Sequence, residues 1–160
     1  MRAAGLAAVP KRWGLDWQRV RVSVCGETLT KDATEHERIG RLIRNRNHII
    51  AFARQWGCRI AVVEEYAFNA RGSQAHSLGE NGGVVKVALI DSGIDVFTAS
   101  PRSAIQLLGK QPRKDSKEWA HKQLLAAGAP AWWTGDQLDA FIIANHHLSQ
   151  TGGDALMIPA

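Results

Sequence analysis

The sequence predicts an α/β fold in a single domain spanning residues 1–160. Three observations carry that prediction. Short apolar runs suited to strands alternate with segments of helical period; those segments are bounded by helix caps and glycine stops; and 160 residues with 45% hydrophobic content suffice for one core. A charged fraction of 22%, with apolar residues spread along the whole chain, excludes a disordered, collagen-like or low-complexity protein. No run approaches the roughly 18–20 uninterrupted apolar residues of a membrane-spanning helix. The stretch before Trp13 lacks a full signal-peptide core, so a cytoplasmic protein without membrane contact is expected.

Ala4 to Val9 and Val20 to Thr28 read as strands, the second from the alternation of Val20, Val22 and Val24 with Arg21 and Ser23. The turn-like, charged connection Pro10-Lys11-Arg12-Trp13-Gly14 suits an antiparallel pair. From Thr34 the period changes. Ile39, Leu42, Ile43, Ile50, Ala53 and Trp56 form one helical stripe, opened by the capping box Thr34-x-x-Glu37 and stopped by Gly57. Ile60 to Val63 is a continuous apolar run, as in a strand covered on both faces, and it leads into Glu64-Glu65. A helix from about Ser73 to Ser92 closes at Gly93, and a strand Asp95 to Ala99 follows. Ser100-Pro101 opens the next helix with an N-cap and a proline at its first position. Lys114 to Ala127 and Gly135 to Ser149 complete the helices, the last with Leu138, Phe141, Ile142 and Ile143 toward the core. Gly79, Gly82 and Gly83 weaken the helix that holds them, which predicts close packing against a neighbour.

Charge is unevenly placed along the chain. The net charge of +5 is compatible with a polyanionic partner, and Lys110, Arg113, Lys114, Lys117 and Lys122 crowd one segment as candidate phosphate contacts. Asp136 and Asp139, three apart at the start of the final helix, project from one face. With a strand-end glutamate they form the kind of oxygen donor set that a hard divalent cation takes. Strand alternation sends Glu64 and Glu65 to opposite faces, so one of the two belongs to such a site. Cys25 and Cys58 lack zinc or disulfide spacing and read as free thiols, and His146-His147 reads as a helix-end pair. No pair of phosphate loops is present, so no nucleotide cofactor is expected.

Five segments in order carry a resemblance. They are Ala61-Val62-Val63-Glu64-Glu65-Tyr66-Ala67-Phe68, Leu78 to Lys86 with its Gly79, Gly82 and Gly83, Ser100-Pro101, Arg113-Lys114-Asp115, and Asp136-Gln137-Leu138-Asp139-Ala140-Phe141. Together they resemble the RuvC-type Holliday-junction resolvases, especially phage and actinobacterial relatives, over about residues 60–148. The resemblance implies a ribonuclease-H-like mixed sheet of five strands flanked by helices. It also implies a homodimer that makes paired nicks in branched DNA, and a carboxylate cluster holding two Mg²⁺ or Mn²⁺ ions. Residue by residue it implies Glu64, Asp136 and Asp139 as metal ligands. Lys114 would be the catalytic cation, with Lys117 its rival, and Tyr66 or Phe68 would stack on opened bases. Lys110, Arg113 and Lys117 would add phosphate contacts.

The family pattern begins with an apolar strand ending in aspartate before the strand that Ala4 to Val9 resembles, and Met1 stands after that aspartate. The resemblance therefore implies a chain shortened at its N-terminus, without the family's central first strand and first carboxylate. A noncatalytic junction-binding or scaffold protein is the alternative that this departure raises.

Overall fold

Nine regular elements follow the patterns above, as seen in a computed structural model that describes residues 4–27, 29–30, 32–65, 73–109, 112 and 114–157 (main chain only for 73–78). Strand β1 (Ala4–Ala8) pairs antiparallel with β2 (Arg21–Cys25), in the register Ala4 to Cys25 and Ala8 to Arg21. Helix α1 (Glu35–Gln55) starts at the expected capping box. Thr34 Oγ1 accepts the Glu37 N–H at 3.3 Å, and the Glu37 carboxylate accepts the Thr34 N–H at 2.7 Å. After Gly57, whose φ of +61° suits the left-handed helix stop, β3 (Ile60–Glu64) pairs in parallel with β4 (Asp95–Ala99). Helix α2 (Ser73–Asp91) makes the crossover between them. Helices α3 (Pro101–Leu107), α4 (Ser116–Ala126) and α5 (Gly135–Gln150) follow.

The result is a mixed α/β fold of two small sheets flanked by helices. Among the described residues four strands are seen, in two pairs that no strand joins, against the five-stranded sheet that the resemblance implies. The side chains of β3 divide between two cores as strand alternation requires. Val62 packs toward α5 on the main cluster of Trp13, Leu108, Leu124 and Phe141, and Ala61 and Val63 pack on a smaller cluster of Ala53, Val85, Leu89 and Ile94.

Several sequence readings change. Trp13, in the turn-like, charged connection between the first two strands, is wholly buried and meets Trp17 and Phe141 edge-on at 5.3 and 5.5 Å. The Asp154 carboxylate holds the turn by accepting the Gly14 N–H, while the Trp13 indole N–H donates to the Asp154 carbonyl. The α1 stripe holds only in part: Ala53 is buried and Ile50 packs beside it as expected, but Ile39, Ile43 and Trp56 are exposed while Arg41 and Asn45 are buried. Helix α4 begins at Ser116 rather than Lys114, because Asp115 at φ 58° breaks the helical path. Gly79 and Gly83 face open space, so close packing does not explain them. His146 and His147 stand near the end of α5 as expected, half-buried, with the His147 ring tilted against Phe97 at 4.8 Å between centroids.

Candidate functional site

Strand β3 and helix α5 deliver the central acids. Odd-numbered residues of β3 face the α1–α2 cluster and even-numbered ones face α5, so Glu64 ends the strand on the α5 side. Glu65 follows it with its N–H donated to the Ala99 carbonyl at 2.9 Å. Helix α5 starts at a second capping box, in which Thr134 Oγ1 accepts the Gln137 N–H and the Gln137 side chain accepts the Thr134 N–H. That cap fixes the first turn, which carries Asp136, with Asp139 three residues further along the helix. Gly5 of β1 sets its position from below: a Cβ there would lie 1.7 Å from the Asp136 carbonyl oxygen, so only glycine lets helix and strand meet this closely.

Asp139 is the most heavily engaged of these groups. Its Oδ1 meets His121 Nε2 at 2.7 Å, and its Oδ2 pairs with Lys117 Nζ. Burial alone would raise its pKa. The hydrogen bonds from His121 and Lys117, with the charge of both, outweigh burial and hold the carboxyl below the usual aspartate range. Glu64 moves the other way: burial comes first and the Asp139 charge second in raising its pKa, against a smaller opposing effect of Lys117. Glu64, Asp139 and Lys117 are thus close enough to feel one another's charge.

The remaining candidates are placed differently. Asp136 is half-buried and borders the same cavity as Glu64 and Asp139. Among the described residues, however, no three His, Cys, Asp or Glu side chains converge as a metal-binding group. Lys114 is exposed ahead of α4 and makes no ion pair among the described residues; the cation at Asp139 is Lys117, one helical turn further on. Lys122 pairs with Glu118 at 2.8 Å. Tyr66, Phe68, Lys110 and Arg113 lie outside the described residues. Sequence reasoning missed His121, although a signal existed: Lys117 and His121 are four apart on α4 and so share a face.

The donor set fits one hard divalent cation better than two. Glu64 and Asp139 offer carboxylate oxygens from two elements, and the charge of Asp139 adds to burial in raising the pKa of Glu64. A second ion finds no further convergent cluster among the described residues, and Lys117 occupies part of the space as a competing cation. Cys25 and Cys58 are free thiols, each with its pKa raised by burial.

No family model matches the sequence, and no curated protein matches it. Solved structures do match. The chain is similar to a Thermus thermophilus RuvC structure with a TM-score of 0.62 and 19% identity, covering 94% of this chain and 90% of that one. It is also similar to T. thermophilus RuvC in complex with a Holliday junction substrate, with a TM-score of 0.61 and 19% identity, covering 82% and 80%. The chain therefore has the RuvC-like, ribonuclease-H-like fold.

Proposed function

We propose that this chain is a divalent-metal-dependent endonuclease that nicks Holliday junctions or other branched DNA, working as a homodimer on paired strands. One observation carries the reading: on a fold shared with a junction-bound RuvC, Glu64 at a strand end and Asp139 at a helix start come within electrostatic reach, with Lys117 beside them. Mg²⁺ or Mn²⁺ held by Glu64 and Asp139, with Asp136 at the rim, would supply Lewis-acid stabilisation of charge developing at phosphorus. The chain's own residues do the rest. His121 fixes the Asp139 carboxylate by its hydrogen bond. Lys117 neutralises that carboxylate in the free protein, and its ammonium can turn to a phosphate oxygen when DNA arrives. Lys114 and the neighbouring basic residues provide phosphate attraction.

A noncatalytic junction-binding or scaffold role is favoured by a different observation, the absence of a convergent group of three ligands among the described residues. A labelled four-way junction and a linear duplex of the same length, incubated with the chain in Mg²⁺, Mn²⁺ or EDTA, separate the readings. The nuclease makes metal-dependent nicks in the junction that Asp139→Asn removes while junction binding survives. Equal nicking by parent and purified variant would sink the catalytic assignment. Binding without nicking in either metal would establish the scaffold reading.

A further inference from the structure

The end of the molecule opposite the acids carries a cluster of cations, and strand direction puts it there. Glu64 closes β3 within electrostatic reach of Asp139, whereas Arg59 stands just before the first residue of that strand. Gly5 of β1 lies against Asp136 at the start of α5, and Lys11, beyond the end of β1, accepts the Asp154 N–H past the end of α5. The first residue of β2, Arg21, pairs with Ala8 at the end of β1, and Arg19 stands two residues before it. Lys11, Arg19, Arg21 and Arg59 therefore share one end of the fold. A five-residue strand at about 3.3 Å per residue puts that end roughly 16 Å from Glu64.

All four cations are exposed, and none makes an ion pair among the described residues. Their arrangement is partly fixed in advance. Val20, between Arg19 and Arg21, is buried with an extended backbone, so the two guanidinium arms turn to the other side. Arg21 lies over the exposed Trp56 ring, 5.1 Å from its centroid, and donates to the Gln18 carbonyl. Trp56 is three residues before Arg59, so this stacking links the ends of the two sheets. The acids nearby are engaged elsewhere. Asp154 pairs with Arg12 at 3.0 Å and accepts the Gly14 N–H at 2.9 Å, with Arg19 the weakest influence on it, and Asp16 accepts the Gln18 N–H at 2.9 Å. Asp95, opposite Ile60, remains against four cations. The acids of the metal site do not neutralise them either, because 16 Å is about twice the screening length of roughly 8 Å at physiological salt.

We infer that this end is a second nucleic-acid contact, at which Arg19, Arg21 and Arg59, with Lys11 beside them, hold backbone phosphates away from the metal site. Three of the four are arginines, whose planar and weakly hydrated guanidinium matches a phosphate in two bonds at once. Phosphate contacts of this kind carry no base code, so the contact is independent of sequence and strongly dependent on salt. It adds a second point of attachment to a nucleic acid, whose strand at Glu64 is a separate matter. The partner rests on the DNA reading above, and cleavage does not enter. The contact consists of exposed side chains outside the strand ladders and does not depend on what lies between β1 and β3.

The test follows the anisotropy of a fluorescent linear duplex of about 20 base pairs, and of a single strand of the same length, in EDTA across a salt series. The triple variant Arg19→Gln, Arg21→Gln, Arg59→Gln should bind the duplex at least about tenfold more weakly at about 0.1 M salt. Its logarithmic salt slope should be shallower by about two to three on the duplex and by about two on the single strand. A second measurement needs no variant at these positions: in the parent chain, and in one carrying Lys114→Ala and Lys117→Ala, the Nε–H resonances of the three arginines should shift when duplex is added. An unchanged slope with those resonances unmoved, while metal-dependent junction nicking persists, would overturn this contact and leave the nuclease reading standing. Failure to bind any DNA, the junction included, would overturn both. If poly-glutamate moved the same resonances as strongly as duplex of equal charge concentration, the contact would belong to an acidic protein surface and the proposal would fall.

Discussion

Glu64 and Asp139 carry opposite pKa shifts, and the signs lead to a stability test. An acid with a raised folded pKa costs stability once ionised: the folded state holds its proton more tightly, so stability falls as pH rises from the ordinary value of 4.5 through the raised one. Glu64→Gln removes that cost. With chelator present, the variant should melt above the parent at pH 7, and the gap should close below about pH 4, where both side chains are neutral. A gap that persists at pH 3.5 would mean that packing, not ionisation, is responsible. Asp139 contributes in the opposite sense, with stability present above the ordinary aspartate range and lost as pH falls through its lowered value. Lys117→Ala and Lys114→Ala divide the basic residues by role. The pairing of Lys117 with Asp139 predicts that Lys117→Ala lowers junction nicking more than junction binding, whereas Lys114→Ala should flatten the logarithmic salt dependence of binding by about one contact. The reverse pattern would restore Lys114 to the reacting phosphate. That Glu64 and Glu65 point to opposite faces was legible in the sequence, because a period of two leaves only two faces, but the choice of Glu64 came from the resemblance. The choice between the lysines was not legible, because it depends on Asp115 leaving the helical region and delaying the start of α4 to Ser116.

At the scale of elements, capped helices were the most readable feature. Thr34-x-x-Glu37 and Ser100-Pro101 mark true starts, and Gly57, Gly93 and Gly128 with positive φ mark true stops, because the signals and the structures they cause are both local. Long-range packing was less legible. Nothing within a few residues of Trp13 announces that Asp154 will fold back to hold it, and nothing in α1 says that Arg41 will be buried while Ile43 is exposed. Two glycines show the same limit in a form that can be measured. Gly5→Ala forces a methyl group into the Asp136 carbonyl, which is backbone and cannot rotate away. It should destabilise by about 3 kcal/mol or more, at or beyond the upper end of ordinary overpacking, and reduce nicking through displacement of the first turn of α5. Gly83→Ala adds a methyl group in open space on a helix, and should stabilise by about 0.5–1 kcal/mol. Denaturant midpoints read both. A neutral Gly5→Ala would show that strand and helix are not in contact.

The whole molecule has two cores of unequal weight, and the β3–β4 pair lies between them. The larger gathers sixteen buried residues around Trp13 and Phe141, where α3, α4 and α5 meet β1. A fully buried Asn145 anchors the C-terminal segment to it by giving an N–H to the Leu156 carbonyl at 3.0 Å and accepting the Leu156 N–H at 2.7 Å. The smaller has four, Ala53, Val85, Leu89 and Ile94, beneath α1 and α2, whose outer faces leave Ile43, Val87 and Ile90 exposed. Stability follows buried apolar area, so the two halves should not open together. Native-state hydrogen exchange across a urea series is expected to show amides of α1 and α2 opening at distinctly lower free energy than those of α5, with the α5 amides alone reaching the global unfolding value. Asn145→Ala, which leaves both main-chain groups of Leu156 without partners, should lower the α5 plateau by about 1–3 kcal/mol and leave the α1–α2 opening nearly unchanged. If one isotherm described every amide, or if the substitution shifted both sets equally, the cores would be acting as a single cooperative unit despite the gap between the sheets.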